Sequence, residues 1–137
     1  MNANGITMPD YYKSSIGYDC ISVAERYDFH IGNAIACAWR HPYRNCPIDD
    51  LREALWHIDR EIERTGSTTF TPPDGADPTV FDLSYWDVSW LRDFWDALDH
   101  GDLAGMKQVL EAFIDLFEDE QRRRADHPSA NEPKDTP

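Results

Sequence analysis

The residues best placed to do chemistry lie between positions 13 and 57. Lys13, Arg40 and Arg44 would flank one cleft if the N-terminal strip folds over the helix that ends at Arg40. Arginine grips phosphate through two parallel N–H donors, which lysine cannot do. Each of these cations has a plainer reading, a surface charge closing a helix end. Asn33 follows Gly32 inside a helical pattern. Both residue types disfavour a helix interior, glycine by about 1 kcal/mol against alanine. The pair therefore implies either tight packing or contact with a ligand. Asp50 and Glu53 stand three apart on one helix face, a spacing that suits Mg²⁺ at a substrate phosphate. Asp96/Asp99 and Asp115/Glu118 repeat that spacing, as an acidic chain does by chance. Cys37, His41 and Cys46 form Cys-x3-His-x4-Cys. Neither interval is a standard zinc spacing and no fourth ligand is evident, so no metal is assigned to them. His57 has no evident partner for general-base work and reads as a helix-surface histidine. The chain contains neither Gly-x4-Gly-Lys-Ser/Thr nor Gly-x-Gly-x-x-Gly, which excludes a P-loop kinase or ATPase site.

Helices must position these groups. Ile21, Val23, Ala24 and Tyr27 partly fit helical spacing and predict a first helix over 18–27. Asp28 then suits a turn or an N-cap. Ile31, Ala34, Ile35, Ala38 and Trp39 form an apolar stripe, so a second helix runs over 29–41 until Pro42 stops it. A third helix over 48–64 carries Leu51, Ala54, Leu55, Ile58 and Ile62 on one side. Asp49 and Asp50 suit the positive end of its dipole, and Gly66 suits its exit. Residues 65–79 are rich in threonine, proline and glycine, and read as a linker. Two further helices are expected over 84–99 and 103–124, with Gly101 ending the first and Asp102 capping the second. Their short connection makes them an antiparallel hairpin. The fold class expected is all-α: a three-helix N-terminal module over 1–64, the linker, a helical hairpin over 80–125, and a polar, proline-rich tail over 126–137.

Composition sets the remaining bounds. The chain has 137 residues, 41% of them hydrophobic and 12% aromatic, enough for a core. No run approaches a membrane span, and the N-terminus lacks the pattern of a signal peptide. A cytoplasmic protein with reduced thiols is expected. The net charge of −13 is uneven. Residues 1–65 hold seven basic and ten acidic residues, and residues 66–137 hold six and sixteen. Such a surface repels nucleic acid phosphates, which argues against direct nucleic-acid binding. Trp86, Trp90 and Trp95, bordered by Asp82, Asp87, Asp93, Asp96 and Asp99, are either core or the anchors of a protein interface. The small residues Gly32, Ala34, Ala36 and Ala38 would admit a second backbone, which favours a homo-oligomer.

One resemblance runs through residues 11–63. Its blocks are Tyr11-Tyr12-Lys13, Tyr18-Asp19-Cys20-Ile21-Ser22-Val23, Phe29-x-x-Gly32-Asn33-Ala34-Ile35 with Trp39-Arg40, and Asp50-Leu51-x-x-Ala54-x-x-x-Ile58. In order and spacing they resemble the small phage family of T7-type accessory nucleotide kinases and their SaV-like relatives. The resemblance implies a phage or prophage protein acting in the host cytoplasm. It further implies nucleotide handling without a P-loop, with a nucleoside triphosphate as phosphate donor if a monophosphate kinase activity is retained. Lys13, Asn33, Arg40 and Asp50 are the matched polar positions, with Arg44 beside them, and no catalytic residue is carried over. Tyr11 stands where the family pattern has histidine, Ala36-Cys37 where it has Lys-Tyr, and Glu53 where it has lysine. The alternative expectation is that the acidic hairpin binds and inhibits a host protein, as a mimic of DNA or otherwise.

Overall fold

A computed structural model describes residues 20–41, 46–73 and 91–126. Among them are five helices: α1 (Cys20–Ala24), α2 (Phe29–Arg40), α3 (Pro47–Thr65), α4 (Arg92–Asp99) and α5 (Leu103–Asp126). The described residues contain no strand, only an isolated antiparallel bridge between Thr69 and Asp102. The protein is all-α, as the apolar periodicity requires. No described helix is long and apolar enough to cross a membrane.

The apolar stripes meet in one core. Ile31, Ala34, Ile35, Ala38 and Trp39 of α2 pack with Leu51, Ala54 and Ile58 of α3. Phe94, Trp95 and Leu98 of α4, and Leu103, Met106, Leu110 and Ile114 of α5, join the same cluster. Helix α3 is the shared wall, with α2 on one side and α5 on the other. Ion pairs Arg52–Glu118 and Lys107–Asp59, the latter at 2.8 Å, fix α3 and α5 antiparallel. Helix α1 leans on α2 so closely that a Cβ on Gly32 would lie 2.7 Å from the Ala24 carbonyl oxygen. That approach explains Gly32 without a ligand.

The α4–α5 hairpin is held at its turn by the start of the expected linker. Thr68 carbonyl accepts the amides of Leu103 (2.9 Å) and Ala104 (3.4 Å), and the Phe70 amide donates to the Gly101 carbonyl at 2.9 Å. The Asp102 side chain accepts from the Gly105 amide at 2.9 Å. The first amides of α5, which have no partner inside the helix, are thereby satisfied.

Candidate functional site

Helices α2 and α3 run antiparallel, and one polar stripe on each faces the other. At 100° per residue, His30, Asn33, Cys37 and Arg40 share one side of α2. Asp50, Glu53, His57 and Glu61 share one side of α3 by the same reckoning. The result is a polar seam beside the apolar core.

At the loop end of the seam, Arg40 donates from Nε to Asp50 Oδ1 at 3.0 Å. Its Nη2 lies 3.5 Å from both Cys37 Sγ and Glu53 Oε1. Asp50 is 4% exposed, whereas the Glu53 side chain is 52% exposed. The two carboxylates therefore differ in kind: Asp50 is a buried anchor and Glu53 a solvated, longer contact. Burial pushes the Cys37 thiol up to about 12, against the pull of Arg40, so it is not a nucleophile at neutral pH.

Midway along, His30 Nδ1 and His57 Nδ1 face each other at 2.9 Å, and one ring donates to the other. His57 is buried and His30 half-buried. Burial, and then the neighbouring His30, lower the proton affinity of His57, with Glu53 opposing. Phe29 and Trp56 border the pair, each edge-on to both imidazoles, at 72% and 56% exposure. The Arg60 guanidinium lies over Trp56, 5.9 Å from the ring centre. At the far end, buried Glu61 accepts from Arg64 Nε (3.1 Å) and Nη2 (2.8 Å), and Arg64 also reaches Asp28 at 3.5 Å.

Of the residues predicted from the sequence, Asn33, Arg40 and Asp50 all lie on the two helices that form this seam. Asn33 Nδ2 donates to its own helix, at the Phe29 carbonyl, 2.7 Å away. Lys13, Arg44, Trp86 and Trp90 lie outside the described residues. Trp95 is in the core at 2% exposure, edge-on to Trp39 with ring centres 6.0 Å apart, and offers no surface for a partner. His57 is not the lone surface histidine expected but half of a pair. Cys37 is buried and Cys46 exposed; among the described residues no three His, Cys, Asp or Glu side chains converge on a metal position. A groove of about 670 Å³ opens elsewhere, between the start of α3 and the end of α5, bordered by Ile48, Asp49, Arg52, Phe117 and Arg124. Among the described residues, none of the predicted site residues lines it.

The sequence signals for the seam were present but scattered. His30 sits one turn before Asn33 and two before Cys37, which places it on the Arg40 stripe, and His57 occupies the matching position on α3. Comparison with known proteins adds nothing to this geometry: no family model, curated protein or solved structure matches the chain.

Proposed function

We propose that the chain is an accessory nucleotide-binding protein of the phage type that residues 11–63 resemble, and that the nucleotide phosphate is bound at the loop end of the α2–α3 seam. The observation that supports this reading is a guanidinium, Arg40, held by a buried carboxylate at the loop end of the seam. Asp50 fixes the guanidinium through Nε at 3.0 Å. Its Nη2 group lies 3.5 Å from both Glu53 Oε1 and Cys37 Sγ. A phosphate oxygen would take the place of Glu53 on that edge while Asp50 keeps the arginine aimed. Asp50 is then a positioning residue rather than a group that orients a nucleotide hydroxyl or a metal. Asn33 gives one amide proton to the Phe29 carbonyl and has a second amide proton and its carbonyl oxygen besides. Arg44 and Lys13, the other cations nominated by the sequence, lie outside the described residues. Phosphoryl transfer itself has no assigned residue, and the reading is one of binding.

A thermal-shift screen against nucleoside mono-, di- and triphosphates, with and without Mg²⁺, tests it. A ligand that binds only the folded chain raises Tm by mass action. A shift confined to one class, diminished in Arg40→Lys and enlarged in Glu53→Gln, is the expected result. Absence of any shift would discard the reading and leave the acidic hairpin as the working surface. That second reading keeps the exposed carboxylates Asp93, Asp96, Asp102, Glu111 and Asp115, but it loses Trp95 as an anchor.

A further inference from the structure

The hydrogen bond between His30 and His57 can survive one added proton but not two. Its donor ring carries a proton on Nδ1 and leaves Nε2 bare; its acceptor ring is protonated on Nε2 and gives its Nδ1 lone pair to the bond. A first proton therefore enters at the donor's Nε2, away from the contact. The bond stays, and becoming charge-assisted strengthens it. A second proton can enter only at the acceptor's Nδ1, on the lone pair that makes the bond. With both rings charged, two N–H groups would meet across the 2.9 Å between the nitrogens, so the rings must part.

We propose that the pair is a proton-operated latch between α2 and α3, closed with at most one added proton and opened by the second, which turns His30 out into solvent. Burial assigns the two roles. His57, at 8% exposure, is the neutral acceptor; half-buried His30 is the donor and carries the first charge. The lowered proton affinity of His57, from burial and then His30, agrees with that assignment. The charged groups around the latch pull in both directions. Glu53, one turn before His57, favours its protonation; Arg60, one turn after it and over Trp56, opposes it. Glu61 is held by Arg64, which also reaches Asp28. Arg40 of α2 is anchored by Asp50, and Lys107 of α5 is paired with Asp59. Glu25 and Arg26, on the turn after α1, are exposed. Opening changes a surface as well: Phe29 and Trp56 stand edge-on to both imidazoles, and lose that support when His30 leaves.

The test follows the histidine ring nitrogens of the full chain, labelled with nitrogen-15, by NMR from about pH 8 to about pH 5. The expected result is a scalar coupling across the bond between the two Nδ1 atoms at neutral pH, kept through the first protonation and lost with the second. His100→Ala, at an exposed histidine on the hairpin turn, should follow the same course. Stability gives a second readout. The unfolded chain charges both rings near the ordinary value of about 6.5, whereas the closed latch accepts only one proton. The unfolded state thus binds more protons in acid, and the latch lowers the folded-to-unfolded ratio by up to about tenfold for each pH unit of fall. His57→Asn has no acceptor ring to charge, and should lose this part of the pH dependence in urea denaturation at the two ends of the range. Coupling that persists with both rings protonated, no coupling at any pH, or equal pH dependence in the parent and a folded His57→Asn chain would overturn the proposal. If His57→Asn does not fold, the NMR titration of the parent decides alone. The latch needs no nucleotide, so it and the phosphate site at Arg40 stand or fall separately.

Discussion

Gly101 and Gly66 both hold left-handed backbone, at φ +67° and +70°, and alanine is expected to cost far more at the first. At Gly66 a Cβ meets nothing within 4 Å. Gly66→Ala should therefore cost only the left-handed penalty, about 1 kcal/mol. At Gly101 the added Cβ would overlap the Phe70 carbonyl oxygen and press on Pro72 Cδ at 3.1 Å. The backbone cannot yield there without parting the clip that holds the hairpin turn. Parting it loses the Phe70 amide bond to Gly101 and the Leu103 amide bond to Thr68, both 2.9 Å. At about 1 kcal/mol for each bond, plus the same left-handed penalty, Gly101→Ala should cost about 3 kcal/mol. Urea denaturation followed by tryptophan fluorescence and circular dichroism gives both values on one scale. Equal losses for the two variants would refute the claim that the segment after α3 braces the turn between α4 and α5.

Other consequences are open to simple measurement. Asp102→Ala removes the side-chain acceptor for the Gly105 amide and should cost about 1 kcal/mol in the same denaturation assay. The two histidines with perturbed proton affinity should titrate on opposite sides of the ordinary value of 6.5, as read by NMR of the ring protons. His57 falls below it, through burial and then His30. Its folded form prefers to be neutral, so its contribution to stability is present above the unfolded pKa and is lost as pH falls through the folded one. His100 rises above 6.5, through its bond to the Asp96 carbonyl and then the Asp96 carboxylate. Its contribution is present below the unfolded pKa and is lost as pH rises through the folded one. A thiol reagent at pH 8 should label Cys46 quickly in the native protein and reach Cys20 and Cys37 only on unfolding, since both are buried and burial holds the Cys37 thiol near 12. Rapid labelling of Cys37 would contradict the packing of α2 on α3.

Much of the fold was legible because local signals agreed with one another. The third helix was expected over 48–64 and spans Pro47–Thr65. Its apolar stripe, its acidic first turn and Gly66 in the left-handed exit all point the same way. The first helix was expected over 18–27, yet among the described residues it is Cys20–Ala24, followed by a turn. Its end is set by α2 crossing at Gly32, a tertiary contact that no window of α1 contains. Asp28 begins α2 as expected but makes no side-chain capping bond; its carboxylate lies instead toward Arg64 at 3.5 Å.

The candidate site was legible only in part, for the same reason. Arg40 and Asp50 were singled out by residue type, but their ion pair depends on how α2 and α3 align. His30 and His57 are 27 positions apart, and neither is unusual within its own helix. Glu61 reads as one more surface charge, yet its carboxylate is buried on the Arg64 fork. Residue type nominated candidates; the antiparallel register decided which of them meet.

The most direct test of the nucleotide-binding claim is the affinity of one nucleotide for three proteins: the parent chain, Arg40→Lys and Glu53→Gln. Removing the solvated Glu53 charge beside the phosphate position should tighten binding about two- to fivefold, the scale of an exposed charge pair. Lysine at 40 keeps the charge but not the two-pronged donor geometry, and should weaken binding about tenfold. Opposite signs for the two variants, with both still folded, are the predicted result. Affinities that do not move, or that move together, would contradict a phosphate site at Arg40.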